Sequence, residues 1–255
     1  MESEFSIEDL QAIFRRLATE KWRAVIVGGQ AVNLWAMRFE DLQSSLRSYR
    51  PYTSCDLDFY GGRVEAKRLL AILGGRGKLN DGTDPSPNAA VIEVFVEGHG
   101  GLVIDVLTGV FGVSSSELSR TAIAWTPRES GIDCELNVMH PLLLLESKLA
   151  CLRGLSQQGR QDQKHCKMML LVIHAWLANQ SSQPRSVFKA VERIAALMQT
   201  PDGLHAYGLG IDLWGSMPLE HWKSDGNYAL FFEKRLPQIR EEIEQSRTSY
   251  RESFS

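Results

Sequence analysis

Ser54-Cys55-Asp56-Leu57-Asp58-Phe59 is the stretch on which the reading of this chain turns. Leu57 and Phe59 alternate with Asp56 and Asp58, and the run lies between Pro51 and Gly61-Gly62. That is the pattern of a short strand with one apolar face. Residues i and i+2 of a strand share a face, so Asp56 and Asp58 project side by side. Two carboxylates that close repel each other, and one keeps its proton unless a cation neutralises the pair. Hard divalent cations take such oxygens, with waters and substrate phosphates filling the remaining positions. A solvated strand end carries the same three letters, so the rest of the chain has to discriminate.

Upstream lies Ile26-Val27-Gly28-Gly29-Gln30-Ala31-Val32. A β-branched run from Ala24 to Val27 meets two glycines, and an apolar helix follows with Ala31, Val32, Leu34, Trp35 and Met37. Such a turn lets backbone N–H groups approach phosphate oxygens at the positive end of a helix. A double glycine is also simply a tight turn, and the GxGxxG spacing of a dinucleotide site is absent. Gly74-Gly75-Arg76-Gly77-Lys78 lacks the P-loop spacing and has Leu79 where a Ser or Thr belongs, so it is set aside. Downstream, Leu102-Val103-Ile104-Asp105-Val106-Leu107 holds an aspartate among apolar residues on both sides, which predicts an interior strand buried on both faces. A carboxylate there needs a hydrogen bond, an edge position or a cation. If this strand lies beside that of Asp56 and Asp58, three carboxylates converge within reach of one ion.

The flanking chain supplies an α/β frame. Ser6 and Asp9 read as a capping box before a helix carrying Ile7, Leu10, Ile13, Phe14 and Leu17 and ending near Lys21. Val64–Leu73 is a helix closed by Gly74-Gly75, and 81–87 is a polar loop. Val91–Val96 and Leu102–Leu107 form a hairpin over Glu97-Gly98-His99-Gly100-Gly101, with strands also expected at Thr121–Trp125 and Ile132–Val138. From His140-Pro141 the periodicity turns helical: Leu142, Leu145, Leu149 and Leu152 form one face, Lys164–Leu177 is very apolar, and Ser186–Met198 and Pro237–Gln245 follow. The expected organisation is an α/β domain over 1–139 and a helical domain over 140–255 that closes the cleft of the site.

Composition excludes other classes. The chain has 255 residues, 44% hydrophobic and 23% charged, which suits a globular protein and not a disordered or collagen-like one. With 28 Lys and Arg against 31 Asp and Glu the formal net charge is −3, so any nucleic-acid contact is local rather than a general basic field. No apolar run is long enough to span a bilayer, and Met1-Glu2-Ser3-Glu4 does not read as a signal peptide. Cys55, Cys134, Cys151 and Cys166 form no CxxC pair, so the reading is a reduced, cytoplasmic protein without a membrane partner.

Strand–Gly-Gly–helix, then DxD, then a lone Asp on an apolar strand resembles the nucleotidyltransferase fold over roughly residues 20–110. Gly28-Gly29-Gln30-Ala31-Val32 and Thr53-Ser54-Cys55-Asp56-Leu57-Asp58-Phe59 look most like the branch of AbiEii-type toxins and their relatives. The resemblance implies a small mixed, twisted sheet flanked by helices, then a helical domain. It implies that Gly28 and Gly29 hold nucleotide phosphates, that Asp56 and Asp58 bind Mg²⁺ or Mn²⁺, and that Asp105 is third ligand and base. Lys148 fits a downstream lysine of that branch that contacts triphosphate, and Arg160-Gln161-Asp162 is a loosened form of its Arg/Lys-Asp pair; Cys55 stands where that branch often has a basic residue. The implied reaction moves an NMP from an NTP to an acceptor hydroxyl of tRNA, protein or a small molecule, in a toxin–antitoxin or phage-defence setting with an antitoxin as partner. A degenerate member that binds nucleotide or a protein without turnover is the alternative. A metal-dependent nuclease would use the same carboxylates but has no triphosphate for the glycine turn to hold. His165, His99, His140, Arg47 and Arg50 read as structural or solvated residues, and Trp176 with Met168-Met169 as core.

Overall fold

The computed structural model describes residues 4–82, 86–180 and 182–253. The Met1-Glu2-Ser3 part of the acidic N-terminus and Thr83-Asp84-Pro85 of the polar loop lie outside them. The chain divides into two compact units, Met1–Ser147 and Lys148–Ser255. The sequence places the joint at His140-Pro141, where helical periodicity begins; the division between the units falls later, between Ser147 and Lys148 inside the helix that starts at Pro141.

The first unit starts with β1 (Phe5–Ser6), α1 (Gln11–Thr19), β2 (Val25–Val27), α2 (Gly28–Phe39), β3 (Thr53–Ser54) and β4 (Asp56–Tyr60). It continues through α3 (Arg63–Leu73), β5 (Arg76–Leu79), β6 (Asn88–Val96), β7 (Gly100–Leu107), α4 (Ser115–Thr121), β8 (Ile123–Trp125) and β9 (Leu136–Val138). Seven strands form one mixed sheet in the order β5-β6-β7-β4-β2-β9-β8. β4 runs parallel to β7 and β2 parallel to β9, while the other neighbours are antiparallel. The mixed α/β class and the helical C-terminal half agree with the sequence reading.

One face of the sheet is the core. Ile26, Leu57, Phe59, Ile92, Ile104, Val106 and Val138 are buried there. Trp22 packs edge-on against Phe59, with ring centroids 4.7 Å apart. On the other face Val91, Val103 and Phe95 are exposed, Phe95 to 77%. This corrects the expectation of a strand buried on both faces: β7 is interior in the hydrogen-bonding direction, between β6 and β4, but the face that carries Asp105 also carries the exposed Val103. Helix α2 is buried on most sides, as its composition predicts. Its two inward polar residues are satisfied: Gln30 Nε2 donates to the Phe5 carbonyl at 2.9 Å and Asn33 Nδ2 to Gln30 Oε1 at 3.0 Å, so neither carries the cost of an unpaired buried amide.

Other boundaries shift for local reasons. The capping box forms, with the Ser6 N–H donating to Asp9 Oδ2 at 2.8 Å and the Asp9 N–H to Ser6 Oγ at 3.3 Å. Regular α geometry nevertheless starts only at Gln11, since Phe5 and Ser6 are held extended by pairing with Ser54 and Thr53. The expected strand at Thr121–Trp125 is shorter because α4 claims Thr121. The strand expected from Ile132 spans only Leu136–Val138, although Ile132 is still buried. Gly74, at φ +65°, closes α3 in the left-handed conformation a C-terminal glycine supplies. Beyond it Arg76–Leu79 pairs antiparallel with β6 as an edge strand.

The second unit takes up the end of α5 (Pro141–Gly154) and then α6 (Asp162–Asn179), α7 (Pro184–Met198), α8 (Pro201–Gly208), the short α9 (Leu219–Trp222) and α10 (Leu236–Glu252). Cys166, Met168, Met169, Val172, Ile173 and Leu177 bury α6, as its apolar composition predicts, while Trp176 is half-buried. Trp222 stacks on Tyr228, with ring centroids 5.2 Å apart and ring planes nearly parallel. Among the described residues no helix is long and apolar enough to cross a membrane.

Candidate functional site

β4 and β7 lie side by side in register, Asp56 opposite Val103, Leu57 opposite Ile104 and Asp58 opposite Asp105. Residues directly across a ladder point to the same face, and i, i+2 residues do too. Asp56, Asp58 and Asp105 therefore share the face opposite the core. Adjacent strands are about 4.8 Å apart, so Asp58 and Asp105 start from backbones at neighbouring-strand distance.

Gly28 closes the other flank. Val27, the last residue of β2, pairs with Asp58, and α2 begins at the next residue. Gly28 has φ +67°, and a Cβ built there would lie 1.8 Å from Asp58 Oδ2. Only a residue without a side chain lets the Asp58 carboxylate lie against this turn. Gly29 follows as a buried residue of the first turn of α2. The structure thus brings the strand–Gly-Gly–helix turn to the DxD strand.

The carboxylates are engaged with their own neighbours. The Ser54 hydroxyl donates to Asp56 Oδ1 at 2.7 Å, and the Asn88 amide donates to Asp105 Oδ1 at 2.9 Å. Burial, and secondarily the charge of Asp56, hold the Asp105 carboxyl above the usual carboxylate range. In these side-chain positions no three His, Cys, Asp or Glu among the described residues are gathered to hold a metal ion. The expected mutual reach of the three carboxylates is met in face and register but not in side-chain position, with Asp56 and Asp105 each drawn toward a separate donor.

Lys148 belongs to the second unit. It is buried, with Nζ 3.2 Å from Asp162 Oδ1, and Arg160 Nε lies 2.6 Å from Asp162 Oδ2. Asp162 stands in the first turn of α6, where the helix dipole also favours a carboxylate. His165, one turn on, is buried, and neither ring nitrogen has a hydrogen-bond partner; that corrects the expectation of a satisfied structural histidine. Burial first, then the charge of Lys148, pushes its imidazole down to about 3.

The remaining polar residues resolve as structural. Arg47 pairs with Asp41 at 2.7 Å and Arg50 Nε with Glu40 at 2.9 Å. His99 in the hairpin lies 3.1 Å from Asp9, and His140 Nδ1 accepts the Leu142 N–H at 3.2 Å. The sequence reading missed Tyr60 and Asn137. They line an open concavity of about 550 Å³ that begins where β4 ends, together with Arg23, Glu65, Thr108 and Ser119. Tyr60 could have been found, being two residues beyond Asp58. Asn137 could not, because it reaches this face only through the parallel pairing of β9 with β2. Comparison with protein-family models, with curated proteins and with solved structures finds no match to this chain.

Proposed function

We propose that the first unit is a nucleotidyltransferase, moving a nucleoside monophosphate from an NTP to an acceptor hydroxyl. The observation that supports this most is the meeting of Asp56, Asp58 and Asp105 on one sheet face with the Gly28-Gly29 turn beside Asp58. An all-carboxylate donor set suits Mg²⁺ or Mn²⁺, and a cation would offset what raises the proton affinity of Asp105, burial first and then the charge of Asp56. Asp56, Asp58 and Asp105 would hold the ion once turned from Ser54 and Asn88; bound, it supplies charge neutralisation on the transferring phosphoryl group. The N–H groups at the start of α2 receive the leaving phosphates. The acceptor oxygen attacks the α-phosphorus, the bond from that phosphorus to the bridging oxygen breaks, and pyrophosphate departs. Asp105, with its elevated proton affinity, takes the hydroxyl proton.

The test is pyrophosphate release from each NTP with Mg²⁺, by wild type and Asp58→Asn. Release by wild type and its loss in the variant is the expected result. A second reading, nucleotide binding without turnover, is favoured by the separate engagement of the carboxylates. Saturable Mg²⁺·NTP binding with no pyrophosphate would select it.

A further inference from the structure

The concavity at the end of β4 has no role in that reading as it stands. Three of its residues form one row across the sheet: Tyr60 pairs with Val25, and Val25 with Asn137. Tyr60 is the i+2 neighbour of Asp58, so the row lies about 7 Å from the carboxylate row on the same face. Tyr60 and Asn137 flank Val25 about 10 Å apart, two strand spacings. Among the described residues neither the Tyr60 hydroxyl nor the Asn137 amide has a hydrogen-bond partner. Both are half-buried and both line the concavity.

Two charged residues line the concavity, and each already has a contact of its own. Arg23 lies 2.8 Å from Glu135, and the Glu65 carboxylate accepts the Gly62 N–H at 2.9 Å at the start of α3. What is left is the Tyr60 ring, the Asn137 amide with donor and acceptor side by side, and the small apolar residues Ala24, Val25 and Ala122. A volume of about 550 Å³ is within the range of small-ligand sites. Those features suit an uncharged heteroaromatic ring read along one edge, as unpaired bases are read by aromatic faces and amides.

Direction decides whose ring it is. Along β2 and β4 the Gly28-Gly29 turn lies on one side of Asp58 and the Tyr60–Val25–Asn137 row on the other. In an in-line displacement the attacking and leaving oxygens are opposite each other. With the leaving phosphates at the glycine turn, the attacking hydroxyl comes from the Tyr60 side. We infer that this concavity is the acceptor site, and that the acceptor is a nucleoside or the nucleoside end of a nucleic-acid strand, its base held between Tyr60 and Asn137 and a ribose hydroxyl presented to Asp105. This rests on the nucleotidyltransferase reading for its direction, not for the pocket itself.

The test titrates adenosine, guanosine, cytidine and uridine, each alone, into the full chain by calorimetry. Wild type, Tyr60→Ala, Tyr60→Phe and Asn137→Ala are compared, with melting curves as the check on folding. At least one nucleoside is expected to bind wild type, and Tyr60→Ala and Asn137→Ala each to weaken it tenfold or more. Tyr60→Phe, which keeps the ring, is expected within about threefold of wild type. Affinity for a non-hydrolysable Mg²⁺·NTP analogue should change less than twofold in all three. No nucleoside binding by wild type, equal binding by folded variants, or transfer onto a protein hydroxyl would overturn the inference. An equal loss of NTP-analogue affinity would assign the pocket to the NTP's own base and overturn it too. Absence of pyrophosphate release from wild type, with nucleoside binding intact, would instead count against the catalytic reading and leave a nucleoside pocket standing.

Discussion

Asp58 and Asp105 stand directly across from each other on adjacent parallel strands, 47 residues apart in sequence and on the same sheet face. Burial and the nearby Asp56 charge keep the proton on Asp105 longer than usual. A carboxyl whose folded pKa is raised stabilises below its ordinary pKa and loses that contribution as pH rises through the raised value. Asp105→Asn, which keeps the shape and can still accept from Asn88, should therefore melt higher than wild type at pH 7. The two should converge near pH 3. Thermal melts across that range check the sign, and an Asn variant less stable at neutral pH would show that the charge is compensated.

Removing the other two carboxylates separates chemistry from folding. Asp56→Ala and Asp58→Ala are each expected to abolish pyrophosphate release and to leave the melting temperature equal or raised. Mg²⁺ should raise the melting temperature of wild type by preferential binding to the folded state, and should not do so for Asp58→Ala. Near-wild-type turnover in either variant would remove the metal assignment.

At Gly28 two costs fall on one methyl group: a left-handed backbone, and a contact of 1.8 Å with Asp58 Oδ2. Gly28→Ala should destabilise by about 1–3 kcal/mol. In the Gly28→Ala/Asp58→Ala double variant the steric part disappears and the backbone part stays. A double-mutant cycle from urea unfolding should thus give a favourable coupling; strict additivity would mean that the carboxylate swings away freely.

His165 makes the second unit acid-sensitive. Its imidazole is held near 3, chiefly by burial, against about 6.5 in an unfolded chain. A base with a depressed folded pKa contributes stability above its unfolded value and loses it as pH falls. Between pH 6.5 and pH 5 the loss is about 2 kcal/mol. Urea unfolding at pH 7 and pH 5 should show that drop in wild type and a smaller one in His165→Leu. Parallel drops would assign the sensitivity to other groups.

The Lys148–Asp162 pair predicts asymmetric damage. Lys148→Met leaves a buried carboxylate with only Arg160, and Asp162→Leu leaves a buried ammonium. Each should cost about 3–5 kcal/mol, and the double variant Lys148→Met/Asp162→Leu much less than their sum. Chemical denaturation of the three variants is the measurement, and single variants that cost nothing would show that the pair is hydrated.

How far the letters foretold this arrangement depends on where each signal resides. The glycine turn, the DxD strand, the hairpin over Gly98 and the glycine cap at Gly74 are local, and each is written in contiguous residues. The pairing of β4 with β7 is not, and the sequence could pose it only as a condition. β5 escaped notice because Arg-Gly-Lys-Leu has neither alternation nor β-branched residues; it is a strand because β6 offers it a ladder. Phe95 and Val103 on the open face show the limit of hydropathy, since an apolar letter does not state which face is covered. Lys148 shows the converse, a charged letter buried because Asp162 receives it.

The parallel pairing of β2 with β9 joins Val25 to Asn137, and this has a consequence for synthesis. By the time Leu107 has been made, β4 can have both its neighbours, but β2 still presents a bare edge. Its partner arrives only after about 30 more residues, roughly 2–6 s at ordinary elongation rates. During that interval the strand leading into Gly28 is open to mispairing with other nascent chains. Slowing the ribosome between codons 107 and 138 should therefore lower the yield of native protein, and a chaperone that masks strand edges should restore it.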